Sequence, residues 1–187
     1  MRRISNVLGI DDGPFSMAQR EGVPIAGAVF AGGRLDGVLM GSVTRDGNDA
    51  AAAICRMVET SRFRGHIRLI MLQGIALGGF NVVDAFALNR RLGLPVLVVA
   101  RRKPDLDGIK QVLLTAIPNG EDKWRIIQRL GPMEPCEGLF IQRLEIAEGM
   151  AADVIRRMAR HSRIPEPLRT AHLIAGAMAC GQSRGNP

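Results

Sequence analysis

The sequence predicts one α/β domain built on a mixed β-sheet, and three observations predict it. Three β-prone runs come first with no helix between them, two buried-type runs then alternate with helical patterns, and the C-terminal part is helical. A chain of 187 residues, 47% hydrophobic and 23% charged, is long enough to bury a core as a single domain over 1–187.

The elements follow in order. Val7–Ile10 is a short strand stopped by Asp11-Asp12-Gly13-Pro14. Pro24–Phe30 and Leu35–Val43, joined by Ala31-Gly32-Gly33-Arg34, read as an antiparallel hairpin. Asp46-Gly47-Asn48-Asp49 supplies turn and cap chemistry before an alanine-rich helix over Ala50–Ser61. Ile67–Leu72 is an apolar run suited to a strand covered on both faces. Gly74–Gly79 is a loop, Asn81 a cap, and Val82–Leu92 a helix ended by Gly93. Pro95–Ala100 is another buried strand, Asp107–Ile117 and Asp122–Leu130 are helices, and Phe140–Ile146 is an edge strand. Ala147–Ser162 and Pro165–Cys180 are the closing helices. Three antiparallel strands, then helix-strand-helix-strand, then helices is the ribonuclease-H-like layout, a mixed five-stranded sheet.

Composition narrows the function. No stretch approaches the roughly 18 apolar residues of a membrane span, because Leu92–Ala100 and Leu173–Cys180 are short and interrupted. Asp11 and Asp12 arrive before a signal-peptide core could form, so a cytoplasmic location is expected. Cys55, Cys136 and Cys180 are scattered, which argues against a disulfide framework or thiolate zinc site. The net charge of +7 suits a polyanion such as nucleic acid, and is equally the ordinary balance of an arginine-rich protein. The loop Gln73–Asn81 lacks both the P-loop and the dinucleotide fingerprint. With no Tyr, one Trp and six Phe, an extended base-stacking platform is not expected.

The acidic residues form the main chemical signal. Asp11 and Asp12 follow the first strand, Asp46 and Asp49 precede the first helix, and Asp84 opens the second. Hard divalent cations take oxygen ligands, and phosphodiester cleavage needs carboxylates converging from separate segments. Locally, Asp12-Gly13 and Asp46-Gly47 also read as turns, and Asn48 or Asp49 as a helix cap. Arg169 and His172, three apart on one helix face after Pro165-Glu166-Pro167, could meet one phosphate; a capped helix with a buried histidine is the alternative. Arg184 reads as a phosphate contact or as part of a frayed tail.

The segments Gly9–Phe15, Arg45–Asp49, Gly78–Asp84 and Ile164–Ala175 together resemble domain-of-unknown-function family ninety-nine, which is similar to endonuclease V. The resemblance spans nearly the whole chain. It implies a ribonuclease-H-like fold and Mg2+- or Mn2+-dependent cleavage of nucleic acid near deaminated bases, uracil or hypoxanthine, as in repair, with DNA ahead of RNA as partner. Carried over, Asp11 matches the first-strand metal ligand and Asp46, or else Asp49, the second carboxylate, with Asp12 or Asp84 as supplementary ligands. Gln73 stands where the family reads Leu-Asp-Gly, and a neutral amide oxygen can ligate a cation but cannot neutralise it. His172 and Arg169 would steady the phosphate, with Phe80 and Asn81 beside a flipped base. The alternative is a protein of the same fold that binds nucleic acid without cutting it.

Overall fold

The computed structural model describes residues 3–183. Its main sheet has seven strands, β1 (Asn6–Asp12), β2 (Val23–Ala31), β3 (Arg34–Val43), β4 (Leu69–Gln73), β7 (Val96–Ala100), β8 (Glu134–Cys136) and β9 (Leu139–Leu144), in the order β3-β2-β1-β4-β7-β9-β8. A two-residue pair, β5 (Ala76–Leu77) and β6 (Asn81–Val82), forms a separate small ribbon. The helices are α1 (Ala50–Glu59), α2 (Ala85–Leu92), α3 (Leu106–Ala116), α4 (Gly120–Leu130), α5 (Glu148–Met158) and α6 (Glu166–Cys180).

The expected five-stranded arrangement is present as β3-β2-β1-β4-β7, with β1 antiparallel to β2 and parallel to β4, and β4 parallel to β7. Two strands extend it. The segment read as an edge strand, β9, is covered by β8, a short strand containing Pro135, which suits an edge because proline lacks a donor. The second helix starts at Ala85 rather than Val82, because Asn81–Val82 pairs with Ala76–Leu77 and the Asp84 carboxylate caps the helix by accepting from Ala87 N–H. Gly93 ends that helix in the left-handed conformation, as expected.

Alternation along the strands divides the core. Leu8, Ile10, Ile70 and Leu72 face α1 and α2, while Val7, Leu69, Met71, Leu97 and Val99 face α5 and the start of α6. Helices α3 and α4 pack on each other over Val82, Leu113 and Ile127, beside the strand ends. Among the described residues, no helix is long and apolar enough to cross a membrane.

Two glycines set how close α6 comes to β1. A Cβ at Gly9 would overlap the Pro167 backbone, and one at Gly13 would overlap the Ala175 carbonyl. Four residues apart on the strand and eight apart on the helix, these contacts bracket His172.

Candidate active site

Strand β1 does not stop before its acids. Asp11 pairs with Ala26 and Asp12 with Ile25, and Gly13 N–H donates to Pro24 O at 2.8 Å, so both acids lie within the ladder. The turn reading of Asp12-Gly13 is thereby corrected: Gly13 is kept small by the close approach of α6. In-strand placement sends neighbouring side chains to opposite faces. Asp11 points to α6, where its Oδ2 meets His172 Nδ1 at 2.9 Å, and its Oδ1 accepts from Asp12 N–H at 2.9 Å. Asp12 points the other way, its Oδ2 accepting from Gly78 N–H at 2.7 Å.

Gln73 joins Asp11 through register. Parallel pairing sets Ile10 against Leu72, so the next step along both strands places Gln73 beside Asp11. Asp11, Asp12, Gln73, His172, Phe15 and Cys180 border one open cavity of about 640 Å³. Gln73 Oε1 is buried and has no hydrogen-bond partner among the described residues.

Burial dominates the electrostatics of this site. Asp11 is 4% exposed, and burial pushes its pKa above the ordinary value despite the opposing contacts from His172 and Asp12 N–H. Asp12 is pushed up to about 6, by burial first and also by the Asp11 charge, against the lowering effect of Gly78 N–H. The hydrogen bond to Asp11 raises His172, with burial opposing it. Two desolvated carboxylates and an orphaned amide oxygen at one cavity match the all-oxygen donor chemistry of a hard divalent cation.

The other expected carboxylates are directed elsewhere. Asp46 does form a turn, with positive φ, and its Oδ1 accepts from Phe80 N–H at 2.8 Å while Oδ2 accepts from Arg45 Nε at 3.2 Å. Its backbone N–H donates to Gly78 O at 2.9 Å, so Asp12 and Asp46 clamp the same glycine from two sides. Asp49 accepts from Thr44 N–H and Oγ1 and from Asn81 Nδ2 at 2.6 Å. Burial pushes Asp49 up, but these donors together outweigh it and leave its pKa below the ordinary value. It heads α1 without capping it through its side chain; Asn81 Oδ1 accepts from Ala50 N–H instead, at 3.1 Å. Asp84 caps α2. Among the described residues no three of His, Cys, Asp and Glu are grouped to hold a metal.

Of the expected nucleic-acid contacts, Asn81 is buried, and its amide is occupied by Ala50, Thr44 and Asp49. Arg169 is forked onto Glu166 within its own helix, at 2.8–3.1 Å. Phe80 borders a second, mostly apolar cavity of about 280 Å³ that begins at Gly74, immediately after Gln73. Arg184 lies outside the described residues.

Sequence reasoning missed Lys123. It is 2% exposed, burial lowers its pKa, and its ammonium donates to the Asp46 carbonyl at 2.6 Å. A lysine on an amphipathic helix carries no signal of this. The missed signal that was present is Gly9-x-x-x-Gly13, two gaps on one strand fitted to a helix backbone.

Comparison with known proteins assigns the family. A family model described as endonuclease dU matches residues 3–179, and the chain belongs to that family. A UPF0215 protein of Deinococcus radiodurans is 50% identical over 183 residues, covering 98% of this chain and 93% of that protein. A protein of unknown function from Archaeoglobus fulgidus superposes with a TM-score of 0.86 at 33% identity, covering 93% of this chain and 98% of that one. Endonuclease V of Ciona intestinalis, crystallised with a 24mer DNA containing an inosine followed by a ribo-adenosine, superposes with a TM-score of 0.56 at 12% identity, covering 90% and 83%. That last likeness establishes the fold, which this chain shares with endonuclease V.

Proposed function

We propose that this member of the endonuclease dU family is a divalent-metal-dependent endonuclease that cuts DNA at deaminated bases, with residues 1–187 acting as one endonuclease V-like domain. The observation that carries the reading is Gln73, which borders the same cavity as Asp11 and His172 and whose buried Oε1 has no partner among the described residues. The family description and the DNA bound by a structural relative support the substrate class.

In this reading Asp11 and Gln73, joined by Asp12 where the strand end opens on the shared cavity, would hold Mg2+ or Mn2+, which would supply water activation and charge stabilisation at the phosphate. Asp11 fixes the His172 ring through Nδ1, which leaves Nε2 to contact a phosphate oxygen or move a proton. Asp46, with Lys123 on its carbonyl, orders the loop that carries Gly78–Phe80 instead of binding the ion directly. The cavity behind Gly74 would receive the flipped base between Phe80 and the α3–α4 pair, its apolar lining tolerating a base without its exocyclic amine.

Gln73 also favours a second reading, binding without cutting, since it removes one anionic ligand. Cleavage of uracil- and hypoxanthine-containing oligonucleotides with Mg2+ or Mn2+ separates the two. Wild-type cutting that disappears in Asp11→Ala supports the endonuclease. An inert wild type alongside an active Gln73→Asp variant would establish the binding-only protein.

A further inference from the structure

We propose that the end of the sheet opposite Asp11 is a second nucleic-acid-binding surface, a basic groove that holds phosphodiester backbone without reading bases. Strand β1 has its acids at one end and Asn6 at the other, about 17 Å away at the usual strand rise. Three depressions at the Asn6 end run into one another. The first is bordered by Arg3, Ser5, Asn6, His66 and Arg68. The second shares Arg3 and Ser5 and continues to Arg157 and Arg160. The third shares Arg160 and ends at His161 and Arg163.

Charge along this groove is nearly all of one sign. Its one acidic lining residue, Glu137, is paired with Arg156 at 2.7 Å, and Arg157 is paired with Asp153 at 2.8 Å. Among the described residues, Arg3, Arg68, Arg160 and Arg163 form no ion pair, and all four are exposed. Arg68 is oriented by the Gly65 and Ile67 carbonyls, at 2.8 and 2.9 Å, which restrains it where it stands. Guanidinium groups in a row match a chain of phosphates, each contact releasing counterions.

The lining also says what the groove does not take. It contains no Phe, Tyr or Trp, and its only rings are those of His66 and His161, so it offers no extended platform for stacking bases. None of the exposed large hydrophobic residues borders it, which removes the apolar insertion that a membrane surface would use. The inference takes from the endonuclease reading only the identity of the polyanion. A long substrate held at Asp11 would reach this groove by bending around the β3 or β8 edge, or a second segment would occupy it.

The test is equilibrium binding of wild type and an Arg3→Gln/Arg68→Gln/Arg160→Gln/Arg163→Gln variant to a lesion-free DNA duplex of about 40 base pairs, in EDTA, across a salt series. The variant is expected to lose up to about 3.6 from the slope of log K against log salt, with affinity near 0.1 M salt falling at least about tenfold. The matching four-lysine variant restores the slope. Should the four-glutamine variant fail to fold, Arg160→Gln and Arg163→Glu are measured singly, with smaller losses expected. An unchanged slope in a folded variant overturns the proposal, as does loss of inorganic polyphosphate binding with DNA binding intact. Because neither lesion nor metal is present, an inert wild type in the cleavage assay leaves this result standing.

Discussion

His172 Nδ1 and Asp11 Oδ2 lie 2.9 Å apart although 161 positions separate them in the chain. The contact joins the last helix to the first strand, across a gap narrowed by Gly9 and Gly13. It also ties two titrations together. Asp11 raises His172, so without a cation the folded protein keeps this imidazole charged above its ordinary value of 6.5. The stability that His172 contributes is therefore complete below that value and declines as pH rises through the raised one. An NMR titration of the ring should show an apparent pKa above 6.5 that drops in Asp11→Asn. Cleavage by His172→Gln should fall about 10²–10⁴-fold.

Asp12 gives the opposite kind of test, through its own stability cost. The folded chain holds this proton up to about pH 6 while the unfolded chain releases it near 3.8, so between those values the folded state binds more protons and stability falls as pH rises. Replacing the carboxylate by Asn keeps an acceptor for Gly78 N–H and removes the charge. In metal-free buffer at pH 7.5, Asp12→Asn should melt higher than wild type, by ~1–3 kcal/mol of stability, with the difference vanishing near pH 4. Equal melting curves at both pH values would refute this.

Gln73 should respond to metal and to its own removal in opposite directions. Its buried, unpartnered oxygen costs about 1–3 kcal/mol in the metal-free protein, so Gln73→Leu should be as stable as wild type or more so. Millimolar Mn2+ should raise the melting temperature of wild type, and more so that of Gln73→Asp, but not that of Gln73→Leu. A Mn2+ shift that survives Gln73→Leu unchanged would remove Gln73 from the ligand set.

Gly9→Ala should separate α6 from β1. The added methyl meets the Pro167 backbone rather than a flexible side chain, so the helix must move. A loss of about 1–3 kcal/mol is expected from overpacking, with a larger proportional loss of cleavage as His172 leaves Asp11. Full activity in a folded Gly9→Ala protein would mean that the contact is dispensable.

Asn81→Ala tests whether that residue serves substrate or structure. Its amide satisfies Ala50 N–H, Thr44 O and Asp49 at once, all within the interior. Truncation should cost about 2–4 kcal/mol in urea denaturation while leaving the affinity of the folded protein for DNA unchanged.

The sheet was legible because alternation and turn chemistry are local. Val7–Ile10, the Gly32-Gly33 hairpin and the two buried runs each announced themselves within a few residues, and their order implied the layout. The short strands β5, β6 and β8 carried too few residues for a period to register. Asp11 was nameable as an acid at a strand end, and His172 as a histidine on a proline-started helix. That the two touch was not legible, and neither was the diversion of Asp46 to Phe80 N–H and of Asp49 to Thr44 and Asn81.

The sequence alone, then, determined the longer strands and helices, the mixed sheet they form, and Asp11, Asp46, Gln73 and His172 as the residues to watch. Only the tertiary structure decided which acids share a cavity. The reason is physical: strand register and helix docking fix side-chain directions through contacts between residues far apart in the chain. A carboxylate's partner is whichever donor that packing brings within about 3 Å, and no local pattern encodes it.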